Sequence, residues 1–328
     1  MKTRSSWIGL VLLIAVALGG VAGYQALQDD DDVDGMTLRY VNFRIYDPVY
    51  VAIDNGYFAE RGLTVEVIGD VLAGPTAIQA VASGSAEAGV SSIPAIINAN
   101  AAGLPIVGVS DLQSALETQP LEVYFKRAGD DTITDVASLE DHPIAINLIK
   151  SSFHYTLIMA FEQVNLTEDD ANFILLPFDR QVQALLNNNV DLIGLMEPYI
   201  SQAQADYGDD LDVVFTALDV FGAKQFSLHF VNRIWAENNP EAATAFVGGI
   251  VEAVEWIEAN PDEAAAIIST YTGVDQAYIG PYHYQPDARV VMEDVQFWLD
   301  YLVERGDVTA DWLAVDTLAT NQYNPNLQ

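Results

Sequence analysis

The chain of 328 residues contains no cysteine. This absence excludes disulfide bonds, thiolate metal sites and cysteine nucleophiles, and it also excludes a lipid-modified cysteine at a processed N-terminus. If the protein is held at a cell surface, it therefore needs another means of attachment.

Positive charge is also scarce. Asp and Glu number 47 against 13 Lys and Arg, which gives a formal net charge of −34 at pH 7. A surface of this sign repels nucleic acid. The acidic residues are spread from Asp29 to Asp316, which favours adaptation of the whole surface to high salt over a single functional acidic patch. The charge therefore predicts a saline habitat and no particular activity.

Motifs of common enzyme classes are missing too. The sequence has no Gly-x-Ser-x-Gly nucleophile elbow, no His-Glu-x-x-His zinc motif and no Gly-x-x-x-x-Gly-Lys phosphate-binding loop. The histidines lie far apart along the chain, at His142, His154, His229 and His283. We therefore predict a protein that is not an enzyme and that uses no cofactor or metal.

The N-terminus has the features of a targeting segment. Lys2 and Arg4 precede an uncharged, largely apolar run from Trp7 to Leu27, whose length suits a membrane-spanning helix or a long secretory signal. Both interpretations place the rest of the chain outside the membrane. An uncleaved anchor is favoured, because no clean Ala-x-Ala cleavage site is present. The predicted boundaries are 1–28 for the anchor or signal and 29–36 for an acidic linker.

From Met36 onward, short apolar runs alternate with helix-start signals, which predicts an α/β fold with mainly parallel strands. Pro48, Pro75 and Pro94 each stand where a helix would open, because proline fits the first helical turn. One set of strands and helices ends near Val109, and a second set runs from Ile144 to Ala205. The pattern therefore predicts two α/β lobes.

Two extended runs, Leu121–Phe125 and Phe226–Val231, separate these sets from each other and from a helical C-terminal part. In that part, apolar residues recur at steps of three and four, which predicts buried helix faces. We expect these helices to pack on lobe 1, so that the extended runs form a double-stranded hinge. The predicted boundaries are 37–122 for the first part of lobe 1, 123–222 for lobe 2, and 223–328 for the return crossover and the second part of lobe 1.

The run Tyr50–Leu63, YVAIDNGYFAERGL, resembles the opening segment of the solute-binding proteins of nitrate, sulfonate and taurine importers, a family related to pyrimidine-precursor binders. The similarity continues, in order and spacing, through Ser83–Gly89, Ala101–Pro105, Ser151–Tyr155 and Glu197–Tyr199. It implies a two-lobed, periplasmic-binding-protein-like fold of type II with two crossover hinge strands. It does not identify the ligand, because members differ mainly in their cleft side chains.

Ligands of open α/β sheets bind beyond the carboxyl ends of the strands, where loops lead into helices. Three predicted helix starts carry glycine, serine or threonine, and their free N–H groups suit an anion. Ordinary N-capping is the alternative for any one of them. The predicted ligand-binding residues are Phe43, Arg44, Tyr46, Gly74, Thr76, Ser91, Ser92, Ser151, Ser152, His154 and Glu197.

Several of these residues have a second interpretation. Arg44 suits an oxyanion or a surface ion pair. Phe43 is favoured as lobe core, whereas Tyr46 is favoured as a ligand contact. His154 suits a ligand oxygen at the cleft edge, or only capping and packing. Glu197 suits an amino group, an amide or a pyrimidine amine, which makes nitrate less attractive than a taurine-like or aminopyrimidine-like solute.

The sequence therefore predicts the extracellular solute-binding subunit of an ABC importer for a small anionic or zwitterionic solute, which is sulfonate- or taurine-like, nitrate-like or aminopyrimidine-like. Hinge closure on the solute would precede delivery to a permease driven by a cytoplasmic ATPase. We expect a monomer at the extracytoplasmic face, anchored by residues 7–27 or secreted after cleavage. The alternatives are a membrane-anchored ligand sensor and a pyrimidine-precursor synthase-like enzyme, which the lack of cysteine disfavours.

Overall fold

The computed structural model describes residues 35–42, 45–70, 74–309 and 312–327. The chain from Thr37 onward forms one compact unit. The predicted anchor, and all of the predicted linker before Gly35, lie outside the described residues. Within the described ranges, no helix is both long enough and apolar enough to cross a bilayer.

Most of the described strands are followed by a helix, as the sequence predicts, and the C-terminal part is helical. The strands are β1 Met36–Asn42, β2 Leu63–Asp70, β3 Ala88–Ser92, β4 Ile106–Ser114, β5 Val123–Arg127, β6 Pro143–Ile146, β7 Asn172–Leu175, β8 Leu192–Leu195, β9 Leu211–Thr216 and β10 Gln225–Asn232. The α-helices are α1 Pro48–Asp54, α2 Gly74–Ala82, α3 Ile93–Ala101, α4 Ser152–Gln163, α5 Phe178–Leu186, α6 Tyr199–Tyr207, α7 Ala217–Phe221, α8 Arg233–Asn238, α9 Pro240–Ala259, α10 Pro261–Thr272, α11 Met292–Glu304 and α12 Val315–Leu318.

The strands form two sheets of five strands each, in the orders β2-β1-β3-β10-β4 and β7-β6-β8-β5-β9. β1 is parallel to β3, and β6 is parallel to β7 and β8. β10 and β5 run antiparallel to their neighbours. We call the first sheet with its helices lobe 1 and the second sheet with its helices lobe 2. The two-lobed α/β fold is thereby confirmed, whereas the exact lobe boundaries stay a prediction.

Two connections join the sheets, residues 115–122 and residues 217–224. They lie side by side, because Ala115 N donates to Lys224 O at 2.8 Å and Ala217 N donates to Glu122 O at 3.0 Å. The extended runs predicted from the sequence correspond to β5 and β10, each of which continues from one of these connections into a sheet. The double connection is the hinge between the lobes.

The C-terminal helices pack on lobe 1, where α9 contacts α1 and α11 contacts α3 and β10. The predicted apolar face of α9 is fully buried, and it consists of Phe246, Val247, Ile250, Val251, Val254 and Ile257. Asn239 and Asn260 directly precede α9 and α10, but neither side chain makes an N-cap bond. Their amides instead donate to the carbonyls of Trp235 and Trp256, at the end of the preceding helix.

Candidate ligand-binding cleft

A narrow cavity lies between the lobes, at the place where helices α2, α3 and α4 begin. Its volume is about 20 Å³, which is room for about one water molecule. The lobes are therefore closed, and a solute needs them further apart. The lining residues are Gly74, Pro75, Ser92, Gln113 and Ser227 of lobe 1 and Asn147, Ser151, Ser152 and Met196 of lobe 2.

The lobe 1 wall is a row of polar side chains on three adjacent strands. Ser227 of β10 pairs with Ser92 of β3 on one side and with Gln113 of β4 on the other. The β10–β4 register shifts on both sides of the Ser227–Gln113 pair. Such irregularities re-aim side chains at the ends of strands, and here Ser227 and Gln113 both face the cavity.

Several polar atoms around the cavity are buried and have no hydrogen-bond partner within the described residues. An unpaired buried polar group costs about 1–3 kcal/mol, and native structures contain few of them. Three of them belong to residues that line the cavity, which makes it the candidate binding site. The atoms are Ser92 Oγ, Gln113 Nε2 and Asn147 Oδ1.

The two predicted N-cap serines behave differently. Ser151 Oγ accepts a bond from His154 N at 3.4 Å, which is ordinary capping of α4. Ser92 occupies the N-cap position of α3, but its hydroxyl makes no capping bond. Capping therefore accounts for Ser151 and leaves the Ser92 hydroxyl available to a ligand. Ser152, the first residue of α4, lines the cavity beside Ser151.

The start of α2 lies directly against β3. A Cβ atom on Gly74 would stand 2.3 Å from Ser91 Oγ and 2.8 Å from Ser91 Cα, so only glycine permits this approach. Ser91 is buried beneath Gly74 and is not among the residues that line the cavity. Thr76 is exposed and also does not line it. The structure thus brings Gly74 to the cavity, but neither Ser91 nor Thr76.

Glu197 follows the lining residue Met196 and is partly buried. Its carboxylate accepts bonds from Ser201 N at 3.3 Å and Ser201 Oγ at 3.0 Å. Burial raises the pKa of Glu197, and the bonds from Ser201 oppose that shift. Tyr282 lies close enough for Glu197 to affect its phenol. Among the described residues, the carboxylate is therefore bonded to Ser201 and forms no ion pair.

His154 does not line the cavity. Its Nε2 lies 3.1 Å from Glu168 Oε1, on the side of α4 that faces lobe 1 helix α11. Burial lowers the pKa of His154, and the charge of Glu168 opposes that shift. The packing interpretation of His154 is therefore favoured. Phe43 and Arg44 lie outside the described residues, so their predicted roles stay predictions.

Side chains bridge the lobes on both flanks of the cavity. On one flank, Asn98 Nδ2 donates to the Tyr155 hydroxyl at 3.0 Å, and Arg305 donates to Glu168. On the other flank, the Tyr278 hydroxyl donates to Asp206 Oδ1 at 2.7 Å. These bonds hold the lobes in the closed arrangement.

A larger groove, of about 530 Å³, lies on lobe 1 between Arg61, helix α9 and Pro325. Arg61 is already bound there to Glu252 and to the carbonyl of Tyr57. In the part of the chain that the structure describes, no residue lining this groove carries a buried, unpartnered side-chain polar atom. Among the described residues, the groove therefore lacks the buried, unpartnered polar atoms that are found at the interlobe cavity.

A model of the NMT1/THI5 like family matches residues 46–264. The chain belongs to this family. It is 26% identical over 275 residues to the formylaminopyrimidine-binding protein of Halalkalibacterium halodurans, covering 79% of this chain and 77% of the relative. It is 25% identical over 277 residues to a putative aliphatic sulfonates-binding protein of Bacillus subtilis, covering 83% and 80%. Both of these relatives are binding proteins.

Solved structures share the fold. The periplasmic aliphatic sulphonate-binding protein SsuA of Escherichia coli matches with a TM-score of 0.68 and 22% identity, covering 84% of this chain and 94% of SsuA. The periplasmic nitrate-binding protein NrtA of Synechocystis matches with a TM-score of 0.68 and 16% identity, covering 88% and 87%. The desulfurization enzyme DSZB matches at 0.62 and 16%, covering 89% and 98%. The fold is therefore that of periplasmic binding proteins, and enzymes also occur on it.

Of the predicted residues, the structure places Gly74, Ser92, Ser151 and Ser152 on the cavity, and Glu197 follows the lining residue Met196. Tyr46 is buried and does not line the cavity. The sequence analysis missed polar residues that reach the site from the strands of both sheets. Asn147 directly follows β6, so the strand-end rule could have found it. The missed residues are Gln113, Asn147 and Ser227.

Proposed function

We propose that the protein is the solute-binding subunit of an ABC importer and that the interlobe cavity binds a small anionic or zwitterionic solute. One observation carries the proposal, namely the buried and unpartnered polar atoms that surround the cavity between two hinged lobes. Membership of the NMT1/THI5 like family supports it, since the relatives are named as binding proteins for formylaminopyrimidine and sulfonates.

The two sides of the cleft favour different parts of a solute. At Ser92 and Ser152, helix N-termini offer N–H groups to an oxygen-rich or acceptor group, and Ser92 adds a hydroxyl that has no partner among the described residues. Toward Glu197, a carboxylate favours an N–H donor instead. No Lys or Arg lines the cavity in the described ranges. A solute with an acceptor end and a nitrogen-bearing end, taurine-like or aminopyrimidine-like, fits this arrangement better than nitrate.

Capture follows from hinge closure. A solute held by one lobe completes the hydrogen bonds of the other lobe when the lobes close around it. The lobes of this filled state lie further apart than in the present structure, and the solute stabilises that state by its differential affinity for it. The closed form is then recognised by a permease, and a separate ATPase supplies the energy. We further propose that the protein acts at the extracytoplasmic face as a monomer, anchored through residues 7–27 or secreted.

An enzymatic alternative deserves comparison because Ser110, His229 and Asp47 lie in a row. Ser110 Oγ is 3.0 Å from His229 Nδ1, and His229 Nε2 is 3.0 Å from Asp47 Oδ1. All three side chains are fully buried, and Nδ1 also lies 2.9 Å from the carbonyl of Asp111. Both ring nitrogens already face acceptors and no substrate can reach the serine. This network therefore supports the fold of lobe 1, and a binding role is favoured over catalysis.

The test is a thermal-shift screen of the purified full-length protein in high salt. The panel contains taurine, ethanesulfonate, nitrate, bicarbonate, 4-amino-2-methylpyrimidine and amino acids. A rise in Tm with one class, scaling with its concentration, is the expected result, because a ligand that binds only the folded state stabilises it. The absence of any shift across the panel would contradict the proposal and favour a sensor for another ligand.

A further inference from the structure

We infer that Asn165 is an N-glycosylation site, at a turn of lobe 2 that stays in solvent when the lobes close. The site lies outside the cleft, so the inference goes beyond the proposed binding of a solute. It rests on the proposed extracytoplasmic location, because asparagine is glycosylated on the surface loops of exported proteins.

The acceptor motif is present once in the chain. Asn165, Leu166 and Thr167 form the pattern Asn-x-Thr with a middle residue other than proline, which is the motif for N-glycosylation. No other asparagine of the sequence is followed by Ser or Thr at the second position. Asn165 and Thr167 are exposed, and Leu166 between them is half-buried. The motif therefore lies on the surface, where a bulky glycan can be accommodated.

The turn after α4 fixes the backbone of the acceptor. Leu166 N donates to Phe161 O at 2.9 Å and Asn165 N donates to Glu162 O at 3.2 Å, which is the bonding pattern of a Schellman cap. Asn165 has a φ of 62°, in the left-handed region that asparagine tolerates better than most residues. None of the described residues makes a hydrogen bond with the Asn165 amide. Its nitrogen is therefore available in solvent.

Asn188 provides the structural comparison. It follows α5 in the same way, since Asn188 N donates to Leu185 O at 3.1 Å, its φ is 57° and it is exposed. The left-handed turn thus explains an asparagine at both helix ends. Thr167 distinguishes the first from the second, because Val190 stands at the corresponding position after Asn188. The backbone alone does not require a hydroxyl residue there.

The modification joins the Asn165 side chain to a sugar. Nδ2 attacks the anomeric carbon of a lipid-linked glycosyl phosphate, which a membrane-bound transferase uses as the donor. The bond between that carbon and the phosphate oxygen breaks, and the lipid phosphate leaves with the electron pair. One amide proton passes to a base of the transferase. The Thr167 hydroxyl donates to Asp170 Oδ2 at 2.8 Å, and its oxygen can still accept a bond from the transferase.

The site lies away from the cleft. Helix α4 contains 12 residues, which span about 18 Å at 1.5 Å per residue. Its first residue, Ser152, lines the cavity, whereas Asn165 follows its other end. A glycan on Asn165 therefore leaves the cavity open to a solute.

The site also stays accessible when the lobes meet. Glu162 and Glu168, on either side of the turn, accept bonds from Arg305 of lobe 1. Asn165 is exposed in this closed arrangement. A glycan is therefore compatible with lobe closure and keeps this face of lobe 2 in solvent. A permease should contact other faces of the protein.

The experiment is peptide mass spectrometry of the full-length protein isolated from its own host. Trypsin cuts on both sides of residues 151–180, a peptide with two asparagines, Asn165 and Asn172. We expect this peptide to carry one glycan, on Asn165, with Asn172 unmodified as an internal control. The tryptic peptide 181–224, which contains Asn188, should have its unmodified mass. A peptide 151–180 found only at its unmodified mass overturns the inference.

Three variants from the same host assign the modified residue. Asn165→Asp keeps the size of the side chain and tolerates the same backbone conformation, so it should fold and lose the whole mass of the glycan. Thr167→Ser keeps the hydroxyl and should keep the glycan, whereas Thr167→Val should lose it. A glycan that persists in Asn165→Asp would show that another residue carries it and would overturn the inference.

The outcomes separate this inference from the proposed function. The mass measurement needs no solute, so a failed thermal-shift screen leaves its result unchanged. An unmodified peptide in protein that has been exported contradicts the inference alone. Protein confined to the cytoplasm contradicts the proposed location and the inference together.

Discussion

Arg305 of lobe 1 donates through Nη2 to Glu168 Oε2 of lobe 2 at 3.0 Å. Arg305 follows the last turn of α11, and it also binds Glu162 at the end of α4. The Tyr301 hydroxyl, one turn earlier, donates to Glu162 Oε2 at 3.0 Å. One helix end of lobe 1 thus bonds two carboxylates of lobe 2. The chain has 13 Lys and Arg in all, and one of them, Arg305, therefore links the two lobes.

Arg305→Gln should therefore loosen the closed state. We expect ligand affinity to fall by about two- to fivefold, chiefly through faster dissociation, because partly exposed ion pairs contribute about 0–1 kcal/mol. Stopped-flow dissociation and calorimetry with the solute found by the thermal screen measure this. Arg61→Gln is the control, since Arg61 pairs with Glu252 inside lobe 1. Equal effects of the two variants would show that Arg305 has no specific part in closure.

The two serines at the starts of α3 and α4 allow a second test. Ser92→Ala removes an unpartnered hydroxyl, so the stability of the free protein should not fall, while ligand binding should weaken by about 1–3 kcal/mol. Ser151→Ala removes a capping oxygen, so it should lower stability by about 0.5–2 kcal/mol. Urea unfolding and calorimetry separate the two effects. A destabilised Ser92→Ala variant with unchanged affinity would reverse the assignment.

A structural feature can be predicted from the sequence when the residues that determine it are close together in the chain. The helix faces of α9 and α11 were predicted correctly, because a period of three to four residues is local and survives in any fold that buries one face. β9 was missed; it is an edge strand of the lobe 2 sheet, and its adjacent residues Asp212 and Val213 are both exposed, so its burial does not alternate. The family could also be predicted from the sequence, because its signature run Tyr50–Leu63 is contiguous.

The site was only partly predictable for a related reason. Gly74, Ser92 and Ser152 follow strand ends, so the general rule for α/β sheets selects them. Gln113 and Ser227 face the cavity because of register shifts between β10 and β4, which the sequence does not reveal.

Gly74→Ala should distort the lobe 1 wall of the cleft. The added methyl would stand 2.8 Å from the backbone Cα of Ser91, so the start of α2 must move away from β3. We expect a loss of about 1–3 kcal/mol in the free energy of unfolding and weaker ligand binding, because overpacking displaces backbone. Gly208→Ala is the control, since nothing lies within 4 Å of a Cβ there and its φ is −55°. Equal stability of the two variants would contradict the predicted clash.

Glu122 should make the folded protein less stable as the pH rises. Its Oε2 accepts the Tyr124 hydroxyl at 2.7 Å, and the side chain is buried. Burial raises the pKa of Glu122 to about 7, and the nearby hydroxyls of Tyr124, Ser152 and Thr156 oppose that shift. Folding therefore favours the protonated form. The stability that this proton contributes is present below the unfolded pKa of about 4.3 and is lost as the pH rises to about 7.

Glu122→Gln keeps the shape of the side chain and removes the titration. Relative to this variant, the wild type should lose about 1–3 kcal/mol of unfolding free energy between pH 4.5 and pH 8, measured by urea unfolding at constant ionic strength. Glu87→Gln gives the opposite sign, because burial of Glu87 is outweighed by its bonds to Arg39, which lower the pKa of Glu87. There the wild type should lose stability relative to the variant as the pH falls. If the curves of wild type and Glu122→Gln run parallel from pH 4.5 to 8, Glu122 is charged throughout, and the hinge carries a buried carboxylate instead of a buried acid.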